Sequence, residues 1–324
     1  MSLAMAMTRT GGPEVLQPIE VEAGPPASGE VRVAQAVIGV NFVDTYFRSG
    51  LYPVAKLPAI LGFEGAGMVT DVGSEVRHLR PGDRVAYTGG PLGGYAETRL
   101  LPESRLVKIP AALSFETAGS SMLRGLTAHM LLHQVHSTKP GDWILVHAAA
   151  GGLGQIVVRW AKRLGANVIG TVGSAAKAAL ARSAGADFVL LHAEPGWAEE
   201  AVRLADGKGV HLAIDGIGGA MLKRSLGVVR PFGVVASMGQ PAGAIPPVPV
   251  EDLGFARSIS LMRPSSLLYA NDAQLYRDGS AALLDMLVDG MVAPAGAAYP
   301  LAKAGQAHAD LESGTTTGSI ILTV

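Results

Sequence analysis

Apolar positions along the chain follow two rhythms. Up to about residue 120 they form short β-prone runs, "EVRVAQAVIGVN", "AGMVTDVG", "PGDRVAYT", "GYAETRLL" and "RLVKIP", punctuated by Gly, Pro and Asp, which predicts a β-rich domain. From about residue 125 to 262 the runs "WILVHA", "NVIGTV", "FVLL", "VHLAID", "FGVVAS" and "SISLM" alternate with helical patterns, as in a parallel sheet wrapped by helices. After the first run, Leu153, Ile156, Val157, Trp160, Ala161 and Leu164 fall at i, i+3, i+4, i+7, i+8 and i+11, while Arg159, Lys162 and Arg163 fall elsewhere. That spacing is one apolar helical face, and it predicts a helix packed on the sheet. Its basic residues suit the negative end of the helix dipole, and Gly165 offers a left-handed stop. The remaining chain contains an amphipathic helix, "AQLYRDGSAALLDMLVDG", and a closing strand, "SIILTV".

Composition narrows the partners. With 324 residues, 48% of them hydrophobic and 16% charged, the chain can bury a large core and divides naturally into two domains. The 26 basic and 27 acidic residues are scattered and sum to a net charge of -1, so neither nucleic acid nor anionic lipid is an expected partner, and a small molecule is. The absence of cysteine excludes disulfides, thiolate catalysis and thiolate zinc sites. No window of about 18 apolar residues predicts a membrane span. The "MSLAMAMTRTGGPEVL" start lacks basic residues before its apolar stretch and reads as cytoplasmic.

The stretch "HAAAGGLGQ", His147–Gln155, places tiny residues between a strand and a helix. Mapped on the glycine pattern of dinucleotide-binding units, its three positions are Ala149, Gly151 and Gly154. Gly151 lets the backbone approach a pyrophosphate, Gly154 lets the helix sit close to the strand, and the helix N-terminus offers N–H groups and positive dipole. Alanine in the first place departs from the strict pattern, and a tight turn without ligand has the same composition. The end of the next strand then bears on the choice of cofactor. An NAD protein normally has Asp or Glu there for the ribose hydroxyls; here the text is "TVGSAAK". Gly173 gives room, Ser174 can donate to a phosphate while capping the next helix, and Lys177 brings a positive charge, a set suited to the 2′-phosphate of NADPH. Taken singly, Ser174 is also an ordinary cap and Lys177 an ordinary helix lysine.

Other constellations invite a reading and fail it. His129, His133 and His136 share one face of the helix expected from "GLTAHMLLHQVHS", but the glutamate of a zincin motif is missing, and no metal site is expected. His147, at the end of a core strand, reads as a satisfied core histidine. "GFEGAG", Gly62–Gly67, is followed by a β-prone run and not by a helix, so it reads as a barrel turn.

With the domain order and these residues in hand, the chain resembles the zinc-independent quinone oxidoreductases of the medium-chain dehydrogenase/reductase superfamily. The likeness rests on "GGPEVL", "GVNFVDTYFRSGLYP", "LGFEGAGMV", "PGDRVAY", "GDWILVHAAAGGLG", "MRPS" and "LESGTTTGSIIL", which span nearly the whole chain. Where zinc-bearing branches have a metal-binding histidine in "GHE", Phe63 stands in "GFE" here. The fold implied is α/β: a Rossmann-type doubly wound parallel sheet over 125–263, and a GroES-like β-barrel domain made of 1–124 and 264–324. The resemblance implies a homodimer or homotetramer. It also implies that Asn41, Asp44, Tyr46 and Tyr52 line the nicotinamide and substrate site, with Asn41, Tyr46 and Tyr52 as catalytic hydrogen-bond donors. Ala149, Gly151, Gly152 and Leu153 would hold the pyrophosphate, and Gly173, Ser174 and Lys177 the 2′-phosphate. Ile217, Met238 and Gly239 are further cofactor positions. Met130 and His192 stand where close relatives carry tyrosines, and Gly314 where they carry an arginine near the cofactor phosphates; His192 can still donate to the 2′-phosphate, more so when protonated.

The function implied is NADPH-dependent quinone reduction by hydride or one-electron transfer, with the hard chemistry carried by the cofactor. Without a Lewis acid, the protein positions the acceptor and donates hydrogen bonds to the oxygen gaining charge. Two readings compete: reduction of enones or alkenals, and a non-catalytic, crystallin-like NADPH-binding relative.

Overall fold

The computed structural model describes residues 1–291 and 295–324. It divides into two compact units, one formed by Met1–Leu126 with Leu267–Val324 and the other by Thr127–Ser266.

The second unit is built on a six-stranded sheet. Its strands are Trp143–Val146, Asn167–Val172, Phe188–Leu191, Val210–Asp215, Val229–Ser237 and Ser260–Met262, and every neighbouring pair is parallel. These are the six apolar runs expected from the sequence. Ile144, Leu145, Val168, Ile169, Leu212 and Ala213 are fully buried, because a parallel sheet is covered on both faces and so needs unbroken apolar strands. Counted along the chain, the strands lie in the order 3-2-1-4-5-6. The order reverses between Trp143–Val146 and Val210–Asp215, and in such sheets ligands bind beyond the carboxyl ends of the strands at that reversal. The helix Gly152–Arg163 presents the expected face, with Ile156, Val157, Trp160 and Ala161 buried.

The first unit is mainly antiparallel. The eleven-residue strand Glu30–Val40 pairs with Glu64–Val72, Thr98–Pro102 and the closing strand Ser319–Thr323, and its first half alternates buried and partly exposed residues, as a strand with one face on a core should. Register shifts between Arg32/Val33 and Gln35/Val37 bend it as bulges do. A three-stranded sheet of Gln17–Val21, Ser2–Met7 and Ala59–Ile60 lies apart from it in hydrogen bonding. Met5, Met7, Ile38, Leu61, Tyr95, Ile320 and Leu322 share one core.

Two local expectations fail for identifiable reasons. "GFEGAG" is mostly strand: Gly62 turns at φ +94°, and Glu64 opens the strand that runs to Val72. Gly67 is there for close packing, since a Cβ would fall 2.1 Å from the Ala34 carbonyl oxygen. The helix expected over "GLTAHMLLHQVHS" is regular only from Met122 to His129 and passes into a π-type turn over Met130–Val135. The wider turn breaks the shared histidine face: the rings of His129 and His133 stack at 4.4 Å, whereas His136, beyond the helix, bonds Asp142 at 2.9 Å.

Candidate functional site

In the second unit the strand Trp143–Val146 ends in a turn that is almost all backbone. Ala148 takes the left-handed conformation at φ +50°, the Gly151 amide closes the turn on the Ala148 carbonyl at 2.8 Å, and Gly151 caps the helix that starts at Gly152. A Cβ on Gly154 would lie 2.3 Å from the Ala148 oxygen and 2.7 Å from the Ala149 Cα, so the first helical turn presses on the loop as the glycine pattern requires. A Cβ on Gly151 would meet only the Ala148 oxygen, at 3.2 Å; beyond it is open space faced by the unpaired N–H groups of a helix start. Gly152 and Leu153 are partly exposed in that first turn, whereas Ala149 is buried.

The strand Asn167–Val172 delivers Gly173 and Ser174, both exposed, at its carboxyl end. Ser174 occupies the N-cap position of the helix Ala175–Ser183, but its hydroxyl makes no capping bond. The expected double role is thus corrected: Ser174 starts the helix through its backbone alone. Lys177 follows within the first turn of that helix. The imidazole of His192 lies over Gly173, 3.5–3.6 Å from where a Cβ would stand, and its buried Nδ1 has no hydrogen-bond partner among the described residues. Burial, then the charges of Arg224 and Lys177, hold the His192 pKa below its ordinary value.

The other cofactor positions gather at neighbouring strand ends. Asp215, fully buried, accepts from the amides of Ile217 and Gly218 at 2.9 Å each, and the Met238 amide donates to the Asp215 carbonyl at 2.7 Å. Gly218 packs on the Gly239 carbonyl, so Ile217, Met238 and Gly239 sit in two loops that brace each other. Met130 is different: it is buried within the π-type turn.

In the first unit Asn41 opens the helix Phe42–Ser49. Its side-chain amide donates to Glu64 Oε1 at 2.7 Å, and its backbone amide to Asp44 Oδ2 at 2.8 Å. Glu64 is fully buried and also takes the Leu123 amide at 2.7 Å and the Arg124 guanidinium at 3.4 Å. Burial raises its pKa, opposed first by the Arg124 charge. Asp44, expected to line the cofactor, points inward with no exposed surface, where its Oδ2 takes both the Asn41 amide at the helix start and the Tyr95 hydroxyl at 3.0 Å. Burial pushes its pKa up to about 7. Tyr95 continues to His308 Nε2 at 2.7 Å, Arg48 donates to His308 Nδ1 at 3.2 Å, and Arg48 forms a two-pronged pair with Glu312 at 2.7 and 2.9 Å.

Tyr46 and Tyr52 meet edge to face at 5.4 Å, and Phe47 touches both Tyr52 and Phe63. Phe47 and Phe63 wall an open pocket of about 580 Å³ with Val54, Lys56, Ile60 and Leu92. Gly314 is exposed at φ +67° after the helix Ala304–Glu312. Among the described residues no three His, Asp or Glu converge as metal ligands, and no helix is long and apolar enough to cross a membrane. Residue patterning gave no sign of Glu64, Arg124, His308 or Arg224, because each has side-chain partners far along the chain.

Residues 27–111 match the alcohol dehydrogenase GroES-like domain, and residues 152–276 the zinc-binding dehydrogenase family. Quinone oxidoreductase 1 of Escherichia coli K12 is 40% identical over 99% of both chains, and so is the 2-haloacrylate reductase of a Burkholderia species. The crystal structure of E. coli quinone oxidoreductase complexed with NADPH superposes with a TM-score of 0.95 at 40% identity, over 99% of this chain and 100% of that one.

Proposed function

Because the chain belongs to the quinone oxidoreductase branch of the medium-chain dehydrogenase/reductase superfamily, we propose that it is a zinc-independent reductase that uses NADPH to reduce small quinones. The observation that carries the cofactor choice is the end of the strand Asn167–Val172. No carboxylate stands between Gly173 and Leu180, the His192 ring covers Gly173 with one nitrogen unsatisfied, and Lys177 and Arg224 act on that ring electrostatically. A cationic pocket of this kind suits a 2′-phosphate and gives nothing to the bare ribose hydroxyls of NADH. Gly151, Gly152 and Leu153 would hold the pyrophosphate at the helix start, with Ile217, Met238 and Gly239 further along the same strand ends.

NADPH, when bound, supplies the hydride. The chain's own part is to hold the acceptor and to donate to its oxygen as charge develops. Asn41 is assigned one donor: its amide is fixed by Glu64, which takes one hydrogen and leaves the second for the acceptor. Tyr46 and Tyr52 are assigned the other two. With no cysteine in the chain and Phe63 where a zinc-bearing branch has histidine, donors of this kind are what the proposal has in place of a metal. A homodimer or homotetramer is part of the proposal and is checked by light scattering.

The equal likeness to a 2-haloacrylate reductase favours a second reading, in which the acceptor is a conjugated alkene. Steady-state oxidation of NADPH with 1,4-naphthoquinone, an alkenal and 2-chloroacrylate decides between them. The expected result is the highest kcat/KM for the quinone, with NADH at least about tenfold poorer than NADPH. A clear preference for either alkene selects the second reading, and no oxidation with any acceptor leaves a cofactor-binding protein without turnover.

A further inference from the structure

We propose that Arg224 and Ser225, neighbours on the helix Met221–Val228, are positioning residues for the dinucleotide: Arg224 for the end bearing the 2′-phosphate, Ser225 for the loop after the strand Val210–Asp215. The inference rests on the NADPH reading above.

Ser225 is fully buried inside a run of hydrogen bonds. Thr171 Oγ1 lies 2.6 Å from His147 Nδ1, His147 Nε2 lies 3.0 Å from Ser225 Oγ, and Ser225 Oγ lies 3.0 Å from Asp215 Oδ2. The directions follow from chemistry. A carboxylate only accepts, so the single Ser225 hydrogen goes to Asp215 in preference to the Met221 carbonyl, also at 3.0 Å. Ser225 then accepts from His147 Nε2–H, and Nδ1 is left to accept from Thr171. Burial holds His147 neutral, with its pKa brought down to about 4, as this arrangement needs. The other oxygen of Asp215 ends the run on the amides of Ile217 and Gly218. Ser225 thereby ties a proposed cofactor loop to two core strands.

Arg224 works on the adjacent loop. Its guanidinium lies 4.7 Å over the Trp197 ring and donates to the carbonyls of His192 at 3.4 Å, Glu194 at 3.3 Å and Pro195 at 2.9 Å. A planar fork that spans three carbonyls fixes a loop in a way that a point charge does not. The loop so held carries His192 over Gly173, and the ionisable groups acting on that imidazole are Lys177 and Arg224 itself, with His147 just past the strand Trp143–Val146. The two branches meet at Trp197, which is 1% exposed and takes the edge of the His147 ring at 5.1 Å.

The test is calorimetric titration with adenosine 2′,5′-bisphosphate and with AMP, probes that bind without reacting. The wild type is expected to prefer the bisphosphate. Arg224→Met keeps the stem on Trp197 and loses the fork, and Arg224→Lys keeps the charge and cannot span three carbonyls; each is expected to lose about tenfold of that preference with little change for AMP. Ser225→Ala is expected to leave the preference intact, to speed amide exchange at Ile217 and Gly218, and to raise the dissociation constants of NADPH and NADH by one common factor. A discriminating wild type whose two Arg224 variants discriminate equally well overturns the role of Arg224, and unchanged exchange at Ile217 and Gly218 overturns that of Ser225. A wild type that binds both probes alike removes the NADPH reading itself.

Discussion

The two units prepare their proposed sites from opposite materials. In residues 127–266 the turn after Val146 is backbone and small side chains, shaped by Ala148 at positive φ and by the absence of a Cβ at Gly154. In the other unit Asn41 and the tyrosines stand on buried ionisable groups, with Glu64 under Asn41 and with Asp44, Tyr95, His308 and Arg48 behind the same helix. A site of the first kind fails by collision, and one of the second kind fails by leaving a charge unpaired.

The largest contrast is expected from Glu64→Ala. It strands the buried Arg124 and frees the Asn41 amide, and breaking a buried pair from one side costs about 3–5 kcal/mol; urea denaturation should show the loss, and a variant as stable as wild type would make the pair incidental. Acid should separate the units next. In unit 127–266 the lowered His147 pKa means that the unfolded chain takes up protons first, so stability falls as pH drops through 6.5 towards 4, by about 3 kcal/mol at pH 4. In the other unit His308, brought down to about 3, has the same sign, while Asp44, raised to about 7, has the opposite one: its contribution is present at low pH and is lost as pH rises through 7. The two oppose each other across that range, and Glu64, also raised by burial, acts in the same sense as Asp44. Hydrogen exchange between pH 7 and pH 4 should therefore show residues 127–266 loosening first, and simultaneous loosening would contradict the opposed pair.

Gly154→Ala tests the turn itself. The added carbon meets backbone at 2.3 Å, which should cost about 1–3 kcal/mol in melting experiments and displace the helix start from any pyrophosphate. Lys177→Ala should raise the Michaelis constant for NADPH about tenfold and barely change that for NADH; equal changes would take Lys177 out of the phosphate site. The smallest effect is expected from Tyr52→Phe, a fall in kcat of about two- to fivefold with quinone, since one of three assigned donors is lost; an unchanged kcat would reduce Tyr52 to packing against Tyr46 and Phe47.

The same contrast explains what could be read along the chain. The six apolar runs, the face of Leu153 to Leu164 and the glycine turn are local patterns with a fixed period, and each stands in the structure where its residues suggested. The inward turn of Asp44 is not legible in its neighbours, because its carboxylate answers to Tyr95, fifty-one positions away, and Tyr95 in turn to His308. Glu64 and Gly67 were hidden for a similar reason: "GFEGAG" has the composition of a turn, and only the approach of Ala34 and Gln35 shows why glycines belong in a central strand. Ser174 had the right residue type for a cap without the bond. Spacing also assumed a regular helix at His129 to His136, and the π-type turn changed the register there.

The pairing of Ser319–Thr323 with Glu30–Val40 bears on how the protein is made. Residues 30–40 leave the ribosome long before this one of their three partner strands is synthesised, while the sheet of residues 127–266 has all its strands in between. That inner sheet can mature during translation, whereas the barrel keeps an open edge until residues 319–323 emerge, and it is the part most in need of protection from aggregation while synthesis lasts.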